Sequence, residues 1–158
     1  MKNEEATKAV AYKRLKLSST SFADNGMIPA LYTCEGININ PPLDIEQIPD
    51  EAKCLVLIVD DPDAPSKTWV HWIIWNIPVT HHIKENEVHG VEGVNDSGHH
   101  HYDGPCPPSG THRYFFKVYA LNDLLDLPAS ADKVQLEKAM SGLIVGFGEI
   151  VGLYKLGS

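Results

Sequence analysis

Long hydrophobic runs are missing from this sequence. No stretch approaches the roughly 20 apolar residues that a membrane-spanning helix needs, so integral membrane association is not expected. Residues 1–17 carry charges throughout and lack an apolar core, so they do not read as a secretory signal. Also missing are a GxSxG elbow, a Walker loop, a dinucleotide fingerprint and an HExxH metal motif, which removes the usual hydrolase and nucleotide-enzyme signatures. Basic charge is in deficit: 13 Lys and Arg stand against 21 Asp and Glu, a net charge of −8. That argues against nucleic acid and against nonspecific attraction to anionic lipid surfaces. Cysteine is scarce. Cys34, Cys54 and Cys106 are odd in number and form no CxxC, which suits a reducing cytoplasm better than a disulfide scaffold.

What is present is enough apolar material for an ordinary core. At 158 residues and 43% hydrophobic content, one domain over 1–158 is the simplest plan, with residues 1–12 a candidate flexible segment. The cluster Lys8, Lys13, Arg14, Lys16 reads as a solvated stretch. Three runs, Lys53–Asp60, Trp69–Ile77 and Arg113–Leu121, are β-branched and aromatic, apolar on both phases, and the first two end at prolines. They predict strands covered on both faces. Eleven prolines and twelve glycines, mostly between these runs, fit an all-β plan with long loops. Leu136, Ala139, Met140, Leu143, Ile144 and Phe147 recur at helical spacing, so residues 132–146 are expected to form a helix with Ser130 or Asp132 as N-cap. Glu149–Leu156 is expected to return as a short strand. Cys54, inside the first run, reads as a small core residue.

Two proline-bounded loops carry the chemistry. The first is Asp60-Asp61-Pro62-Asp63-Ala64-Pro65, followed by the strand segment Val70-His71-Trp72. The second is Tyr102-Asp103-Gly104-Pro105-Cys106-Pro107-Pro108, followed by His112-Arg113-Tyr114. Asp61 and Asp63, two apart on extended backbone, can converge on one point; the competing account is an Asx-type turn. Ala64-Pro65 is a candidate cis peptide. His71 gains a role if a carboxylate of the first loop accepts one ring N–H, which favours the imidazolium form. His112 and Tyr114 face one side of their strand, whereas Arg113 faces the other and forms a structural ion pair. Gly104 permits close backbone approach, and Pro107-Pro108 stiffens the loop. Histidines, a phenol and loop N–H groups make a donor-rich cavity for a phosphate or carboxylate, with the Asp carboxylates behind the histidines. The tracts His81-His82 and His99-His100-His101 read as surface loops that can chelate transition metals opportunistically, and Asn95-Asp96 reads as turn chemistry.

These motifs, together with Tyr32-Thr33-Cys34-Glu35-Gly36, Asn40-Pro41-Pro42-Leu43, Asn76-Ile77-Pro78, Asn95-Asp96 and Tyr119-Ala120-Leu121, resemble the phosphatidylethanolamine-binding protein family. Within it, the likeness is to the prokaryotic Raf-kinase-inhibitor-like branch, over roughly residues 13–154. The resemblance implies a mostly β fold: a large central sheet, a smaller flanking sheet and a few peripheral helices. It implies an anion site of Asp61, Asp63, His71, Gly104, Cys106, Pro108, His112 and Tyr114, without metal or other cofactor. Cys106 stands where eukaryotic relatives commonly have glycine and narrows the mouth with a thiol near His112. The implied function is non-enzymatic binding of phosphate, a phospholipid head group or a phosphorylated side chain. A kinase or serine protease is the implied protein partner, and a homodimer stays open. Two enzyme readings compete: a Cys–His hydrolase with Cys106 as nucleophile and His112 or His71 as base, and a metal-dependent hydrolase on Asp61, Asp63, His71 and His112.

Overall fold

The computed structural model describes residues 12–158, so the expectation for residues 1–12 falls, apart from Tyr12, outside the described residues. Four short strands come first: β1 (Lys13–Arg14), β2 (Lys16–Ser18), β3 (Gly26–Met27) and β4 (Leu43–Glu46). Two long ones follow, β5 (Cys54–Asp61) and β6 (Trp69–Ile77), then the two-residue strands β7 (His82–Ile83) and β8 (Val91–Glu92). Long β9 (His112–Leu121), helix α1 (Lys133–Met140) and the eleven-residue β10 (Ile144–Tyr154) complete the chain. A 3-10 turn spans Ala30–Tyr32.

The three apolar runs form adjacent strands. The large sheet runs β1-β10-β9-β5-β6-β8, with β3 also paired to β10, and a small sheet runs β2-β4-β7. Every residue of β5 is buried, because both faces of the large sheet are covered. Leu55, Leu57, Val59, Trp72, Ile74, Phe116 and Val118 pack against Leu43 and Ile45 of the small sheet. The opposite phase, Cys54, Val56, Ile58, Ile73 and Trp75, packs against Leu125, Ala131, Leu136 and Met140 on α1 and the loop before it. At about 25 cal/mol per Å² of apolar area, these two layers are the main favourable term in folding.

The late helix is shorter than its spacing predicts. Asp132 caps it as expected, in a reciprocal capping box with Gln135, but it ends at Met140. Gly142 takes a left-handed φ of +82°, which stops the helix. From Ile144 the chain is strand, and Phe147 pairs with Arg14 and Tyr119 rather than completing a helical stripe. Gly148 and Gly152 let this strand lie against its neighbours. A Cβ on Gly152 would stand 2.4 Å from Ile28 Cγ1, and one on Gly148 2.4 Å from the Leu15 carbonyl oxygen.

One irregularity of β6 matters for the site. Val59 pairs with Trp72 and Asp60 with Val70, so His71 is an extra residue in the ladder. Such a bulge re-aims a side chain. Strict alternation would send His71 to the α1 face with Ile73 and Trp75; the bulge turns it toward Asp61, His112 and Tyr114 on the other face.

Candidate functional site

At the ends of β5, β6 and β9, where the two proline loops meet, lies a cavity of about 440 Å³. Asp61, His71, Gly104, Cys106, Pro108, His112 and Tyr114 all line it, so seven of the eight expected residues are brought together. Their rings are close: His71 and Tyr114 meet edge to face at 5.3 Å between centroids, and His112 and Tyr114 stack at 6.4 Å. Asp61, His71, His112 and Tyr114 are all buried.

Asp61 resolves its two competing readings by doing both. Its Oδ1 accepts the Asp63 backbone N–H at 2.7 Å, closing an Asx turn, and its Oδ2 accepts from His112 Nδ1 at 2.7 Å. The histidine of β9 is thus oriented by a carboxylate of the first loop. His71 is oriented differently: its Nδ1 donates to the Asp103 carbonyl at 2.6 Å, not to a carboxylate of that loop. Burial pushes its pKa below the usual histidine range, against the opposing pull of the Asp103 carbonyl and the charges of Asp61, Asp103 and Asp60. The expectation of a favoured imidazolium at His71 is corrected accordingly. Tyr114 has its pKa pushed up, by burial first and by the charges of Asp61 and Asp63 second. Its phenol stays neutral and able to donate. Gly104 is fixed by contact: a Cβ there would stand 2.1 Å from the Tyr32 carbonyl oxygen, and its N–H donates to Asn38 Oδ1 at 2.8 Å.

Asp63 is the exception. It lies outside the cavity and takes a bidentate pair of 2.9 Å hydrogen bonds from Arg113 Nε and Nη2, plus the Arg113 backbone N–H at 2.9 Å. The guanidinium holds its pKa down at about 2. Arg113 does face away in an ion pair, as expected, but its partner is the residue expected to line the site. The neighbouring Asp60 turns to the α1 face, where Lys117 and Lys133 both donate to its Oδ2.

Cys106 carries no thiol. It is disulfide-bonded to Cys34, across a sequence separation of 72, at the lip of the cavity. This corrects the reading of the three cysteines as reduced; only Cys54 is free, and it is buried. It also removes the thiol nucleophile that the Cys–His hydrolase requires. No peptide bond among the described residues is cis, so Ala64-Pro65 is trans. Sequence reasoning missed Cys34, Asn38 and Asp103 as wall residues. Asp103 and Cys34 both stood inside quoted motifs, but nothing local marked them as neighbours.

A second cavity, about 280 Å³, opens between the two sheets at the β6–β7 end, over Trp72, Ile74, Ile83 and Val88. At its mouth His89 pairs with Glu87, and His82 pairs with Asp44. Among the described residues no helix is long and apolar enough to cross a membrane.

Residues 18–155 match the family model described as phosphatidylethanolamine-binding protein. A UPF0098 protein of Methanothermobacter thermautotrophicus is 49% identical over 90% of this chain and 100% of its own length. Another, from Pyrococcus horikoshii, is 51% identical over 89% of this chain and 76% of its own. Among solved structures, a Chlamydia trachomatis protein described as a phosphatidylethanolamine-binding protein homolog superposes with a TM-score of 0.87 at 39% identity, covering 90% of this chain and 98% of that one. Escherichia coli YbcL, described as a member of the mammalian family, gives 0.83 at 25% identity, over 90% of this chain and 98% of its own. By sequence over most of its length and by fold, this chain belongs to the phosphatidylethanolamine-binding protein family.

Proposed function

We propose that this chain is a binding protein rather than a catalyst, and that the cavity at the ends of β5, β6 and β9 holds a small anion. The ligand class is a phosphate: free, on a phospholipid head group, or on a phosphorylated side chain, with a kinase or serine protease as the protein partner that the family likeness suggests. One observation carries the reading. Both histidines of the cavity spend Nδ1 on the protein, His112 on Asp61 and His71 on Asp103, which leaves both Nε2 atoms for a ligand. The Tyr114 hydroxyl adds a neutral donor. No nucleophile accompanies them, since the sulfur of Cys106 is bonded to Cys34.

An anion bound here draws a proton onto His71, whose ring is otherwise kept neutral by burial. Binding then takes up a proton between the free and bound pKa values, so affinity falls as pH rises through that window. Each charge-assisted hydrogen bond contributes about 1.5–3 kcal/mol, or roughly 10- to 150-fold in affinity. Titration calorimetry with sulfate from pH 5.5 to 8.5 tests this, sulfate having no ionisation of its own in the range. The expected result is weakening with rising pH, a loss of at least about tenfold in His112→Ala, and near-unchanged affinity in Asp63→Asn, whose carboxylate faces Arg113. Flat affinity across the range, or equal loss in both variants, would falsify the reading.

A further inference from the structure

The histidine tract in the loop between β8 and β9 is not uniform. His100 turns back, its Nδ1 donating to the Glu92 carbonyl at 3.2 Å. His99 and His101 instead stack, with ring centroids 4.7 Å apart, on one carboxylate. His99 Nδ1 lies 2.8 Å from Asp103 Oδ2, and His101 Nδ1 lies 3.5 Å from Asp103 Oδ1. The three donor atoms all fall within 4.8 Å of one another, the one group of three such side chains that does so among the described residues.

The carboxylate is held from behind. Asn95 is buried, and its Nδ2 donates to Asp103 Oδ2 at 2.8 Å and to the carbonyls of His71 and His101 at 3.0 and 3.1 Å. Its Oδ1 accepts the backbone N–H groups of Ser97 and His99. One buried amide therefore fixes the backbone that carries both imidazoles and the carboxylate they share. That is the outer support a metal site needs.

We infer that His99, His101 and Asp103 form a site for one divalent ion of the zinc type. Two imidazoles with a carboxylate suit zinc, nickel or copper; calcium and magnesium demand more oxygen ligands than this loop offers. Around a zinc ion at 2.0–2.2 Å, tetrahedral ligand atoms stand about 3.3 Å apart. The two histidine–carboxylate distances are of that size but run to different oxygens of Asp103, and His101 Nδ1 also lies 3.1 Å from the Tyr102 carbonyl. A turn of the carboxylate, and of the His101 ring off that carbonyl, brings three ligands round one ion and leaves the fourth position to water. The site adjoins the cavity through one residue. Asp103 offers its carboxylate to the ion and its carbonyl to His71 Nδ1, so an ion here fixes the wall behind that histidine.

Titration calorimetry with zinc chloride, in a buffer without competing ligands, is the test. One ion should bind per chain. His99→Ala and His101→Ala should each weaken binding by about tenfold or more, because each removes a ligand from an exposed position where folding is not at stake. The double variant His82→Ala/His89→Ala, which removes two other exposed histidines, should change affinity less than about threefold, and calcium chloride should give no heat of binding. Zinc-shifted imidazole resonances at His99 and His101 identify the ligands directly. No zinc binding at millimolar concentration, or the same loss in the control variant as in the loop variants, overturns the assignment.

Discussion

At His71 two demands compete: a buried ring resists charge, whereas an anion beside it invites charge. In the unfolded chain the ring titrates near 6.5, and in the folded protein below that, because desolvation outweighs the neighbouring carboxylates and the Asp103 carbonyl. Between those two values the folded state binds fewer protons than the unfolded state. The contribution of a neutral His71 to stability is therefore complete above pH 6.5 and is lost as pH falls through the folded value. Melting temperatures from pH 7.5 to 5.0, in an anion-poor buffer, should fall more steeply for the wild type than for His71→Phe. Parallel curves would mean that another group carries the acid sensitivity. Asp63 has the same sign at lower pH: the Arg113 pair stabilises above 3.8 and is lost toward 2. Arg113 is solvent-exposed, so screening by water keeps this contribution small.

Strand β10 shows how an element escapes a sequence reading. Leu143, Ile144 and Phe147 continue the spacing of Leu136, Ala139 and Met140, so helical periodicity runs past the true helix end. The ladder to β9 decides the matter, with ten paired positions from Ile144–Leu121 to Tyr154–His112. Glycines at 148 and 152 cost helix propensity and fit a strand pressed against Leu15 and Ile28. Gly152→Ala places a methyl group 2.4 Å from Ile28 Cγ1 and should destabilise the protein by about 1–3 kcal/mol. Urea unfolding should show this as a lower midpoint at unchanged slope; an unmoved midpoint would mean that Ile28 simply shifts aside. By contrast, β5, β6 and β9 were legible, because each is one apolar run flanked by turn residues. The candidate site was legible as two loops, since Asp61, His71, His112 and Tyr114 sit at strand ends. Three of its features were not. The bulge at His71, the turn of Asp63 toward Arg113 and the partnership of Cys34 with Cys106 all depend on which strands become neighbours, and no local pattern encodes that.

Across the whole molecule, the sheet joins distant parts of the chain: β1 lies beside β10, and β5 and β10 flank β9 on either side. The Cys34–Cys106 bridge spans this topology at the site itself. It ties the turn after Tyr32 to the loop that carries Gly104, alongside a 3.1 Å hydrogen bond from the Cys34 N–H to the Pro105 carbonyl. Closing a loop over a separation of 72 restricts the unfolded chain, an effect of about 4 kcal/mol in the entropy model and commonly 2–4 kcal/mol in practice. Both cysteines are exposed, so a reductant can reach the bond. The Cys34→Ser/Cys106→Ser variant should therefore lose about 2–4 kcal/mol, a fall of roughly 5–15 °C in melting temperature for a chain of this size. Wild type treated with dithiothreitol should melt where the variant does, and the variant should not respond to dithiothreitol. The same pair of samples reads the site as well. With the bridge open, the lip formed by Cys106 is no longer anchored to the Thr33–Gly36 turn. Sulfate affinity at pH 6 should then weaken, while the His112–Asp61 pair stays in place. A variant that melts like the oxidised wild type would show that the buried layers on the two faces of the sheet, not the bridge, hold these loops together.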